Sequence, residues 1–145
     1  MTLARRLRDD RGALSLEAVI LFPALILVLL LVIAFGRISS AGNAVDTAAR
    51  NAARAASLER TGGAASSSGE QMARSVLSQQ GLQCTSTSVS VSTAGFSARI
   101  GEPASTTATV RCTVRLSDIG LPGLPGTKTM ISSFTSSIDS YRQRG

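Results

Sequence analysis

The sequence predicts an α+β chain: a long N-terminal transmembrane helix, then a short helix and a small antiparallel sheet. Three observations carry this expectation. Ala18 to Gly36 contains no charged residue, Ala41 to Leu58 is rich in alanine, and two later segments alternate polar and apolar residues. About twenty apolar residues cross the hydrocarbon core of a bilayer. Alanine is the strongest helix former, and strict alternation marks a half-buried strand. Of the 145 residues, roughly a hundred follow the apolar run, enough for one small domain with a modest core.

The elements follow in order. Met1 to Gly12 is a short polar leader carrying Arg5, Arg6, Arg8 and Arg11. Leu14 to Phe35 reads as a transmembrane helix, longer than the roughly 7–15-residue apolar core of a secretory signal. A small-residue pattern around Gly42-Asn43-Ala44 keeps later cleavage open as an alternative. Pro23 removes one helical hydrogen bond, which membrane helices tolerate where neighbours compensate. The helix is expected to run on past the bilayer, bending at Gly36 and Gly42. Ala44, Ala48, Ala52 and Ala56 recur at every fourth position, with Asp46, Arg50 and Arg54 on the opposite face. Asp46 and Arg50 have the spacing of a favourable i,i+4 pair. A small-residue stripe permits close helix packing, either against other subunits or against the chain's own sheet.

Thr61 to Gly69 has the Gly/Ala/Ser composition of a linker. Glu70 to Gln80 then reads as a short helix, with Met72, Val76 and Leu77 on its apolar side and Gly81 as its stop. Ser88 to Ser92 and Thr107 to Leu116 alternate as strands. Phe96 to Ile100 is either a short strand or a loop, and Leu121 to Gly126 is a turn-rich connection. Lys128 to Ile138 is the expected last strand, with Met130 and Phe134 sharing the face toward the helix. The expected division is a cytoplasmic leader at 1–12, a transmembrane helix at 13–36, an extracytoplasmic helix extension at 37–58 and a small extracytoplasmic α+β domain at 59–145.

Composition narrows the chemistry. The formal net charge is +6. The leader arginines are topology anchors under the positive-inside rule, and the other basic residues are scattered without interleaved aromatics, so no nucleic-acid partner is expected. With no histidine, a Ser–His triad is impossible. No G-x-S-x-G elbow or P-loop occurs, and the carboxylates are spread out. No catalytic residue, metal or cofactor is expected. Cys84 and Cys112, the only cysteines, lack C-x-x-C spacing, which argues against zinc. In an extracytoplasmic domain they would form a single disulfide; in a reducing compartment they would be two buried thiols.

The most informative spacing is Gly12 followed five residues later by Glu17, at the edge of the apolar run. A carboxylate within a bilayer costs about 2.5–3.5 kcal/mol at a helix centre and less near the interface. Cleavage after Gly12 would create an α-amino group on Ala13, one turn from Glu17 or beside the Glu17 of a neighbouring subunit, and so neutralise it. Gly12-Ala13-Leu14-Ser15-Leu16-Glu17, then Ala18 to Phe22, Pro23 and a Leu/Val/Ile run, resembles the start of TadE-like pseudopilins of the tight-adherence (Flp-type) pilus system. The resemblance covers about the first third of the chain and implies a pilin-like layout. It also implies processing at Gly12–Ala13 by a prepilin peptidase, pairing of Glu17 with a subunit N-terminus, and methylation of Ala13. The implied partners are other pilins or pseudopilins, the Tad assembly machinery and the lipid bilayer. The implied location is the cell membrane, single-pass, N-terminus cytoplasmic. Two other readings remain: an unprocessed single-pass envelope anchor, and a small binding protein secreted after cleavage near Ala44.

Overall fold

A computed structural model describes residues 3–119, 123 and 125–141, with side chains for 17–118, 123 and 125–141. The element order is α1 (Leu3–Leu58), α2 (Gly62–Gln79), β1 (Ser86–Val91), β2 (Ala104–Arg115), a helical turn (Leu116–Ile119) and β3 (Thr127–Ile138). The arrangement is α+β and pilin-like. The chain divides into two compact units, Met1–Gly36 and Arg37–Gly145. The first is helical through Pro23, and its large apolar side chains, among them Leu21, Phe22, Leu27, Val32 and Phe35, are exposed. An exposed apolar surface of this size marks a membrane or protein interaction site, and the helix is long and apolar enough to serve as a membrane anchor.

In the second unit, residues 37–58 of α1 remain helical through Gly42. Ala41, Ala44, Val45, Ala48, Ala49, Ala52, Ala53 and Ala56 are buried, while Asp46, Arg50 and Arg54 stay exposed. The buried positions recur at i, i+3 and i+4, one face of a 3.6-residue helix. The every-fourth-residue alanine stripe therefore packs within the chain's own core, together with Ala73, Val76 and Leu77 of α2 and Ala108, Val110, Cys112 and Val114 of β2. This core is built from small side chains. Its largest fully buried members are Val45, Val110, Val114, Thr106 and Cys112. Leucine and isoleucine contribute little, so close approach of backbones replaces side-chain bulk.

The segment 62–69, which composition marks as a linker, is instead the first half of α2. Thr61 caps it, its Oγ1 accepting from the Ala64 N–H at 3.2 Å, as a threonine N-cap does. Small residues serve packing here. A Cβ on Gly69 would lie 2.8 Å from Cγ2 of Val91 and 3.3 Å from the Ala52 carbonyl oxygen. Gly69→Val is expected to destabilise the fold by about 1–3 kcal/mol through overpacking, measured as a lower unfolding midpoint of the full chain. An unchanged midpoint would show that α2 does not press against α1 and β1. The C-terminus of α2 ends as expected at Gly81, whose φ is +68°. The Leu82 N–H donates to the Leu77 carbonyl and the Gly81 N–H to the Ser78 carbonyl, both at 3.0 Å, the two bonds of a Schellman stop.

The sheet has the order β1-β2-β3, antiparallel throughout. Val89 pairs with Val110 and Val91 with Ala108, while Ala108 pairs with Phe134 and Cys112 with Met130. Because paired residues share a face, Val89, Val91, Ala108, Val110, Cys112, Met130 and Phe134 all point to the helix layer. The opposite face is polar, with threonine hydroxyl pairs Thr107–Thr135 at 2.8 Å and Thr113–Thr129 at 2.9 Å. The Phe96–Ile100 region is no strand: a 3₁₀ turn at Ala94–Ser97 leads into loop. β2 begins earlier than alternation marks it, at Ala104, and Leu116 leaves the strand for the helical turn. Of the expected turn at 121–126, Leu121, Pro122 and Leu124 lie outside the described residues. Gly123 and Gly126 have φ of +91° and +120°, the left-handed conformation such a turn requires.

Candidate processing segment and membrane anchor

Gly12 and Ala13 lie within the helical backbone of α1, as do Arg5, Arg6, Arg8 and Arg11; the side chains of these residues are outside those described. Glu17 is the first residue with a described side chain, and it is exposed. On a helix, residues four apart are one turn and about 6 Å apart along the axis. Ala13 and Glu17, four residues apart, thus fall on one face of α1. Immediately after Glu17 the exposed apolar surface begins.

The cysteines are brought together. Cys84 and Cys112 form a disulfide with S–S 2.03 Å and Cα–Cα 5.4 Å, closing a sequence separation of 28. Cys112 is fully buried on the inner face of β2. The Thr85 N–H donates to the Thr113 carbonyl at 2.7 Å beside the bridge, so the crosslink pins the entry to β1 onto β2. Among the described residues no group of three or more His, Cys, Asp or Glu side chains is placed to hold a metal ion.

The surface charges depart from the sequence expectation in one place. The described ion pairs are Arg74–Glu70 at 2.7 Å and Arg115–Asp118 at 3.1 Å; Asp46 and Arg50 do not pair. Arg50 turns instead toward the sheet, its guanidinium carbon 5.6 Å from the centroid of the Phe134 ring. This geometry is a cation–π contact, and it competes with a solvent-exposed i,i+4 pair worth only about 0.3–0.5 kcal/mol. The period-two parity of Phe134 places it on the helix-facing side. The identity of the residue above it comes only from the packing of α1.

The family model for TadE-like proteins matches residues 12–54. No curated protein and no solved structure matches the chain significantly. The matched segment opens on Gly12, contains Glu17, Pro23 and the whole apolar run, and ends in the alanine face of the domain core, so the likeness of this chain to TadE-like proteins lies in its N-terminal helix and covers under a third of the sequence.

Proposed function

We propose that the chain is a membrane-anchored pseudopilin or minor pilin of Flp-type pilus assembly, cleaved after Gly12 by a prepilin peptidase. The single observation that carries this reading is the register of Gly12 and Glu17 at the threshold of the charge-free run, inside the family match. TadE-like proteins are generally structural and not enzymatic, and the chain is proposed to act as a subunit with no reaction of its own. The four leader arginines hold the N-terminus in the cytoplasm. The apolar helix from Ala18 to Gly36 keeps the subunit in the bilayer, and the domain from Arg37 onward stands outside it. Cleavage places an ammonium on Ala13, and in a low-dielectric environment its attraction to a Glu17 carboxylate is far stronger than in water. That attraction sets the register in which a subunit joins its neighbour. The partners are the peptidase, other pilins or pseudopilins and the Tad assembly machinery.

The domain core supports an anchored over a secreted form. Ala44 is buried, 5% exposed, in the middle of the helix. Release near that point would remove Ala41 and Ala44 from the core and would require a signal peptidase to cut a packed helix. Protease added to intact spheroplasts tests the orientation. Digestion of the domain with protection of a leader-proximal fragment is the expected result, and protection of the domain would reverse the proposed topology.

A further inference from the structure

Among the described residues, the second unit leaves a long sheet edge uncovered. β3 pairs with β2 along its whole length, from Thr127 against Arg115 to Ile138 against Ala104, and nothing pairs with its other side. β3 contains no proline and no glycine, and its sole charged side chain is Lys128. Beyond Lys128 near its start, it lacks the usual devices that prevent strand addition, since it has no proline and its register is unbroken by a bulge.

Beside that edge runs a groove of about 510 Å³ between α1 and β3, whose lining includes Arg50, Arg54, Ser57, Leu58, Phe134 and Ser136. Its floor is tied together, because Ser136 Oγ donates to Ser57 Oγ at 3.1 Å. Leu58 and Phe134 are 66% and 41% exposed there, with the Arg50 guanidinium lying over part of the Phe134 ring. Arg50 and Arg54 are exposed, and among the described residues neither has a carboxylate within 4.0 Å.

The spacing of the two arginines matches a strand. Four helical residues advance about 6.0 Å, and two strand residues advance about 6.6–6.8 Å. α1 and β3 run in the same direction here, since Arg50 lies over Phe134 and Ser57 meets Ser136. In a strand added to β3, the residues opposite Phe134 and Ser136 would point to the helix side, where Arg50 and Arg54 line the groove. We propose that the β3 edge and the Arg50–Arg54 groove receive an extended segment of another protein bearing carboxylates at alternate positions, bound as a fourth strand of the sheet. Backbone pairing supplies the register and the arginines select the acidic face, the division of labour general to strand addition.

A second copy of this chain does not fit. Its nine acidic residues include no two separated by a single residue. An antiparallel β3–β3 pairing would also require a two-fold axis normal to the sheet. That axis would turn the two copies' helical segments from Arg37 to Leu58 in opposite directions, which does not suit the single-pass anchoring proposed above.

The test uses the full chain in nanodiscs at physiological ionic strength. It is titrated with a short fluorescein-labelled peptide that has glutamate at alternate positions and valine or threonine between them, and anisotropy is read. Saturable binding is expected, weakened about tenfold or more when the same glutamates are made contiguous and by Arg50→Gln/Arg54→Gln in the protein, as loss of charge-assisted hydrogen bonds implies. Arg74→Gln, on α2, should leave affinity unchanged. N-methylating one set of alternate peptide amides should abolish binding, whereas methylating the other set should spare it. This readout needs no protein variant. The proposal is overturned by equal affinity for the contiguous peptide, by equal effects of the two methylation patterns, by an unaffected double variant, or by no binding. It is also overturned by a self-association of the chain that the double variant abolishes, which would make a second copy the occupant.

Discussion

Replacing both cysteines by alanine is expected to lower the stability of the domain by about 3–4 kcal/mol, the loop-closure value for a crosslink of this span. For a domain of this size each kcal/mol moves the midpoint by roughly 4–8 °C, so Cys84→Ala/Cys112→Ala should melt about 15–25 °C lower. The large effect has a structural cause. The core consists mostly of alanine and valine, and its fully buried side chains are small. A core of that kind buries little apolar area per residue, and small domains with thin cores depend on staples. The bridge also sits where little else holds the chain, since Cys84 precedes the six-residue β1, an edge strand. Thermal unfolding of the oxidised and reduced chain in detergent, followed by circular dichroism, gives the same comparison without substitution. A shift below about 1 kcal/mol in both experiments would mean that helix and sheet packing alone hold the domain.

The second large effect is at the other end of the chain. Gly12→Val should leave the leader attached, because a branched side chain next to the proposed scissile bond obstructs the approach that glycine permits. Gly12→Ala should slow processing only. Glu17→Ala should permit cleavage yet reduce assembly into pili severely. Under the proposed pairing it removes the carboxylate that faces the Ala13 ammonium, and an unpaired charge at the membrane is costly. Processing is read by the loss of leader mass, and assembly by pilus yield in the native host. Normal assembly by Glu17→Ala would remove the pairing role. Cleavage of Gly12→Val at the wild-type rate would remove the assigned scissile bond.

The legibility of this molecule in its sequence follows the kind of information each feature rests on. The apolar run is visible because its exposed surface is a matter of composition alone. β2 is visible because every second residue from Thr106 to Val114 is buried, a pattern that one face of a sheet imposes directly. The first half of α2 is not. Gly62, Gly63, Gly69 and the serines around them have the composition of a flexible segment. They are small because α2 lies close to α1 and β1, and that constraint comes from the far side of the contact. The contact of Arg50 with Phe134 is hidden for the same reason: it joins residues distant in sequence, whereas Asp46 stands at the spacing a helix makes obvious. The outer stripe of alanines is legible as a packing face, but only the sheet shows that its partner is the chain's own domain.

The measurement that bears most directly on the account is the N-terminus of the protein extracted from membranes of cells that contain the native peptidase, by intact mass and terminal sequencing. The account predicts a chain that begins at Ala13, one methyl group heavier than its sequence, with the Cys84–Cys112 bridge intact. A chain that begins at Met1 or Thr2 would contradict processing and leave Glu17 without its ammonium, and one that begins near Val45 would contradict the membrane anchor itself.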